Sequence, residues 1–260
     1  RIEAPWRILT QLEQLFEWRS LELADGSLTS PLVADISTLL IIHPAELSAA
    51  TLYAIEQFIF AGGNALILLD PFAESTLSNA VGAPRSSEFK LFDAWGLQFD
   101  PNSFVGDEAF ALPVLNDNGQ TQRHPGLIGV QGAGLSSDSV ISSGIDSLNL
   151  GFAGAFSVAG DAVITLNALL QSSSQAALLP SNLILQTPNP ADFSALIPAA
   201  SKPLTLAAVV SGRPTSAFAP RDTGHITQAS APINVVVVGD TDLLTDRYWT
   251  QAQNYFGQSI

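Results

Sequence analysis

Three acids in the run GDTDLLTD, namely Asp240, Asp242 and Asp246, carry the densest potential chemistry in this 260-residue sequence. Carboxylates at this spacing can offer oxygen ligands to a hard cation such as Mg²⁺ or Ca²⁺. The competing reading makes Asp242 or Thr245 the cap of a following helix and Asp246 a first-turn acid favoured by the helix dipole. Capping is the preferred reading. It leaves Asp240 and Asp242 as the metal candidates and leads us to expect neither a bound metal nor a cofactor. Two further polar groups stand, like Asp240, at the ends of apolar runs: His43 before Pro44, and Asp70 before Pro71. Ligands of open parallel sheets gather outside the carboxyl ends of the strands. His43, Asp70, Asp240, Asp242, Asp246 and Arg247 therefore form the candidate set for binding a ligand or partner.

Catalytic readings of the same residues lose support one by one. An apolar strand running into Asp-x-Asp resembles the phosphotransferases of the haloacid dehalogenase type, whose first Asp is the nucleophile. Only residues 241–260 follow Asp240, too few for the Lys and second acidic motif such chemistry requires. His43, His124 and His225 form no HExxH pattern, and His124-Pro125-Gly126 and Gly224-His225 read as turns. There is no GxSxG elbow and no GxxxxGK[ST] phosphate loop, and the series Gly132, Gly134 breaks at Ser137. The chain has no Cys, which excludes thiolate catalysis, disulfides and Cys-ligated zinc.

Apolar patterning locates the elements that would hold the candidate set. Residues 39–42 form an unbroken apolar run of the kind buried on both faces of a sheet. Ser48 can cap a helix, with Leu47 and Leu52 as its staple. Leu52, Ile55 and Ile59 recur at helical spacing with Phe58 beside them, Glu56 and Gln57 point elsewhere, and Gly62 or Gly63 ends the helix. Residues 65–69 then make the next strand, and a right-handed parallel crossover follows from that order. Residues 87–99 repeat a helix and strand step, with Phe89, Phe92 and Trp95 on one face before Gly96. Residues 102–211 are poor in charge and rich in Gly, Ser, Asn and Pro. Their apolar bursts at 140–145, 162–170 and 204–210 predict strands and hairpins among long loops. Residues 235–238 form a second continuous strand, followed by a helix whose stripe would be Tyr248, Trp249, Ala252, Tyr255 and Phe256.

The expected fold is an α/β layered sheet, largely parallel, with inserted strands and long loops. We expect one elaborated domain over 1–260, with its core at 1–100 and 204–260 and the insertion at about 102–203. Apolar residues make up 47% of the chain and mean hydropathy is +0.27, too apolar for a disordered chain. No run reaches the roughly 18 apolar residues of a membrane span. With no Met and with Arg at position 1, the chain reads as a processed or excised piece, so the lack of an anchor or signal peptide within it carries no information. A net charge of −14 repels nucleic-acid phosphates and anionic headgroups, so nucleic acid is not an expected partner.

Six blocks carry a family resemblance: PWRILTQLEQLFEWRSLEL, LLIIHPAELSAATLYAIEQFIFAGGNALILLDPFAE, LFDAWGLQFDPNSFVGD, HPGLIGV, LLQSSSQAALLP and PINVVVVGDTDLLTDRYWTQAQNYFGQSI. Together they resemble the auxiliary components of uncharacterised ABC-type transport systems, related to a bacterial gliding-motility protein. The resemblance implies an extracytoplasmic, periplasmic domain held by a membrane helix beside an ABC permease and its ATPase. It also implies a Rossmann-like fold akin to the class I glutamine amidotransferases, whose Cys nucleophile this chain lacks. His43, Asp70, Asp240, Asp242, Arg247 and Trp249 lie in the matching blocks, and the family supplies no catalytic role for them. The expected function is a non-enzymatic module that binds a transporter subunit or an exported ligand. The alternatives are a metal-dependent hydrolase or sugar-processing enzyme using Asp70, Asp240 and Asp242 near His43, and a structural spacer.

Overall fold

The computed structural model describes residues 6–32, 35–74, 86–116, 118–186, 189–221, 223–249, 254–255 and 258–259. Helix α1 (Arg7–Leu15) and the hairpin β1 (Leu23–Ala24) and β2 (Ser27–Leu28) lead into β3 (Thr38–Ile42), α2 (Ala49–Phe60) and β4 (Asn64–Leu68). Next come α3 (Leu91–Trp95), β5 (Leu97–Phe99), β6 (Ser103–Asp107), β7 (Ala111–Leu115), β8 (Thr121–Gln131) and β9 (Ser147–Gly151). After β10 (Phe156–Val158), β11 (Ile164–Gln171) and β12 (Ala176–Pro180) stand the short helices α4 (Leu183–Gln186) and α5 (Pro190–Ser194). The chain closes with β13 (Thr205–Gly212), β14 (Asn234–Val238), α6 (Asp246–Trp249), β15 (Asn254–Tyr255) and β16 (Gln258–Ser259).

The crossover read from residues 38–70 is present. The Ser48 hydroxyl accepts the Thr51 N–H at 3.2 Å, which satisfies one of the free amides at the start of α2. Gly62, at φ 104°, turns the chain out of the helix where a side chain would be strained. Strands β3 and β4 pair in parallel with Ile42 opposite Leu68, and β4 pairs in parallel with β14, Leu68 opposite Val238. The step at residues 87–99 also forms, as α3 and β5 around Gly96 at φ 79°, with Phe89, Phe92 and Trp95 buried.

The expectation of a largely parallel, Rossmann-like sheet is overturned. The seven-stranded sheet runs β3-β4-β14-β13-β10-β5, with β11 also on β13, and it is parallel only across β3-β4-β14. The pairings β14-β13, β13-β10, β13-β11 and β10-β5 are all antiparallel. Smaller antiparallel ladders, β6-β12 and β7-β8-β9, complete the β-rich part. A continuous apolar run reports that both faces of a strand are covered, without reporting its direction or what covers it. Val235 and Val237 face the cluster built on α2 and α3, with Ile59, Phe60 and Trp95. Val236 and Val238 face a second cluster made by strands, with Val105 of β6, Ile128 and Val130 of β8 and Leu150 of β9. Strands therefore occupy the face where a doubly wound fold carries helices.

Three local expectations also change. Residues 140–145 form turns, and Val140 is 94% exposed. The C-terminal aromatic stripe does not run on as a helix: α6 ends at Trp249, and Tyr255 lies in β15 paired with β16. Ala252 and Phe256 lie outside the described residues. Glu56, expected to point away from the apolar stripe, lies four residues from both Leu52 and Phe60 on the same face of α2 and is fully buried beneath the 213–233 connection. There it accepts the Ser216 hydroxyl at 2.5 Å and the Ala217 N–H at 2.7 Å, while Gln57 bonds both main-chain groups of Ile226. Glu56→Ala would strand these buried donors and should cost about 1–2 kcal/mol, read as a lower urea midpoint at constant m-value.

Candidate functional site

Register explains which candidate residues meet. Ile42, Leu68 and Val238 lie level across β3, β4 and β14, so Asp70 and Asp240, each two residues further on, emerge side by side. Asp242 folds back through the 3-10 turn Asp242–Leu244 to join them. Carboxylate oxygens of Asp70, Asp240 and Asp242 all lie within 4.8 Å of one another, and the three residues are 0%, 0% and 1% exposed.

Each acid is an acceptor for loops that arrive from elsewhere. Asp70 takes the Phe72 N–H at 2.8 Å on one oxygen, and the Thr241 N–H at 2.8 Å and hydroxyl at 2.7 Å on the other. Asp240 takes the Gly151 N–H at 2.6 Å and the Leu243 N–H at 3.1 Å, and Asp242 takes the Glu74 N–H at 2.7 Å. The cluster thereby ties the ends of β4, β9 and β14 into one unit. Around it, the Glu74 carboxylate accepts the Tyr248 hydroxyl at 2.5 Å and pairs with Arg247 at 3.2 Å. Gly151 has no side chain because a Cβ there would overlap the Tyr248 hydroxyl.

Burial and mutual repulsion set the electrostatics. Burial, then the charge of Asp242, raises the Asp70 carboxyl to about 8 against the pull of its three donors. Burial, then Asp70 and Asp242, pushes Asp240 well above the usual carboxylate range. Three carboxyls this close cannot all be ionised without a compensating positive group. Retained protons shared between them can supply that compensation, and so can a hard cation.

Of the remaining candidates, Arg247 borders the carboxyl cluster through its pair with Glu74, and His43 and Asp246 engage other groups. His43, at φ 46°, holds a left-handed backbone uncommon outside glycine, and its Nδ1 lies 2.7 Å from the Ser87 hydroxyl. Ser87 in turn accepts the main-chain N–H of Asp70 at 3.1 Å, which links His43 to the backbone of Asp70. Asp246 accepts the Arg7 N–H at 2.9 Å, and the Arg247 side chain is 61% exposed. His124 lies within β8, not in a loop. Its ring packs against Phe152 and Phe193, and burial lowers its pKa. His225 packs on Tyr53 in the 213–233 connection, away from the carboxyls. Sequence reasoning missed Ser87, Thr241, Gly151, Glu74 and Tyr248. Of these, Gly151 alone carries a signal, as a glycine in a strand where another group approaches closely.

Comparison with known proteins supplies the context. The family model described as ABC-type uncharacterized transport system matches residues 2–260. The chain belongs to that family. This family member is thus an auxiliary component of an ABC-type transport system. No curated protein matches it. Among solved structures it is similar to one described as the mmIFT52 N-terminal domain, with 15% identity and a TM-score of 0.45, over 93% of this chain and 81% of that one. No helix among the described residues is long and apolar enough to cross a membrane.

Proposed function

We propose that this chain is a non-catalytic binding module of its transport system, presenting the loops above the β4 and β14 ends to a transporter subunit or an exported ligand. The observation that carries this reading is the use of the three strand-end acids. Asp70, Asp240 and Asp242 are closed from solvent and engaged by main-chain donors from several loops, whereas a general acid, base or nucleophile must reach its substrate. They brace the loops, and loops held on a rigid sheet are well suited to recognition. Family membership supports a component of the ABC transport system as the partner, and we take that contact to involve the permease or its ATPase, with this domain on the extracytoplasmic side.

Detergent extraction of the native membrane followed by affinity purification of the tagged protein tests this reading. Co-purification of a permease or ATPase subunit is the expected result, and recovery of neither overturns it. The clustering of three carboxylates also favours a second reading, a metal-dependent hydrolase. Titration calorimetry with Mg²⁺, Ca²⁺ and Zn²⁺ separates the two. A heat of binding lost in both Asp240→Asn and Asp242→Asn would favour the enzyme.

A further inference from the structure

The N-terminal segment shares with the preceding reading only the premise that this domain binds a protein, and it identifies a different surface. Helix α1 buries none of its residues, although Ile8, Leu12 and Leu15 recur along one stripe. The apolar character continues past the helix end. Leu15 is 73% exposed, Phe16 62%, Trp18 38%, Leu21 39% and Leu23 50%. Five large apolar side chains thus face solvent within nine consecutive residues, where isolated ones would need no explanation. A concentration of this kind marks an interaction surface.

Charge selects the occupant. The acids along this stretch are Glu13, Glu17, Glu22 and Asp25; of its two cations, Arg7 at the start of α1 faces Asp246 at 3.9 Å and Arg19 is already taken. Its guanidinium binds Asp35 through two contacts, 3.1 and 2.8 Å, and Glu17 at 3.1 Å. The ridge therefore presents apolar side chains in a negative field, on a chain whose net charge is −14. An anionic lipid surface and a second copy of this chain would both be repelled. We propose that the ridge receives an amphipathic segment of a partner protein that carries Lys or Arg beside Leu-like residues. Apolar contact supplies the affinity, and the opposite charges supply the steering and the choice of partner.

The test titrates the 260-residue chain into a fluorescent Leu/Lys amphipathic peptide of about 18 residues, beside a Leu/Glu counterpart and vesicles rich in phosphatidylglycerol. Saturable binding of the Leu/Lys peptide alone is expected. It should weaken about tenfold or more in the combined Leu15→Ala, Phe16→Ala, Leu23→Ala variant, whose charge is unchanged. Because those side chains are exposed, the variant's urea midpoint should match that of the parent. Glu13→Lys with Glu22→Lys should weaken binding as well. Equal affinity in the apolar variant would show attraction by net charge only and overturn the proposal. Binding of the Leu/Glu peptide or the vesicles would overturn it too, as would sedimentation showing self-association that the apolar variant abolishes. If transporter subunits co-purify while the peptide fails, only the ridge assignment falls. If the peptide binds and no subunit is recovered, the strand-end reading falls instead.

Discussion

Raising the pH from about 6.5 to about 9 should lower the urea midpoint of this protein by the equivalent of about 2 kcal/mol from Asp70 alone, with Asp240 adding to it. Asp70 holds its proton up to a pH of about 8 in the folded chain, against an ordinary value of 3.8. Between those values the folded state binds more protons than the unfolded state. The associated stability is fully present below the lower value and is lost as pH rises through the higher one. Over the whole range the swing is on the order of 5 kcal/mol. His124 acts in the opposite sense. Burial lowers its pKa from 6.5, so its contribution grows as pH rises towards that value and is constant above it. Asp100, lowered from 3.8 by its bond to Ser103, acts only in acid. The clean measurement is therefore equilibrium unfolding at several pH values above that of free histidine. A midpoint that held steady or rose would show that the carboxyls are ionised and compensated. Asp70→Asn should flatten the slope. It should also lower stability at the start of the range, because an amide nitrogen cannot accept the Thr241 N–H and hydroxyl that meet that oxygen.

Gly239→Ala should destabilise the protein by about 3 kcal/mol, the upper end of the range for overpacking. Gly239 leads β14 into Asp240, and its own N–H and C=O bond Leu206 and Gly154 at 2.9 and 2.7 Å. A Cβ at this position would overlap the Gly154 carbonyl oxygen. Main chain cannot swing aside as a flexible side-chain end can. The β9–β10 connection would have to move away from the end of β14, and Asp240 would shift relative to Asp70. The urea midpoint should fall, and the pH slope should shrink with it as the carboxyls separate. Gly160→Ala serves as the control, since an exposed glycine with nothing within 4 Å of its added methyl should change stability by less than about 0.5 kcal/mol. Equal midpoints for the two variants would refute the close-approach argument.

Much of the candidate site was legible because local rules suffice for it. The apolar runs at 39–42 and 235–238 marked strands of the main sheet, although β3 is an edge strand with only Leu39 buried, and Ser48 and Gly62 bounded the helix between β3 and β4. Asp70 and Asp240 at the ends of such runs were bound to meet once those strands paired in register. Glu56 shows where this reasoning stops. At helical spacing from Leu52 and Phe60, this Glu interrupts the apolar face of α2, and only the return of the 213–233 connection supplies the donors that make it a buried anchor.

By itself, the sequence determined which segments are apolar enough to be covered on both faces, where α2 starts and stops, and which acids stand at strand ends. It also excluded thiol chemistry, since the chain has no Cys. Tertiary structure alone decided that β13 runs antiparallel to β14 and that strands cover the second face of the sheet. It also decided that the Gly151 and Glu74 N–H groups close over the carboxyls from distant loops. The physical reason is that burial and capping depend on near neighbours in the chain. Strand direction and hydrogen-bond partners across more than 80 residues depend on how the layers stack, and no local pattern records that.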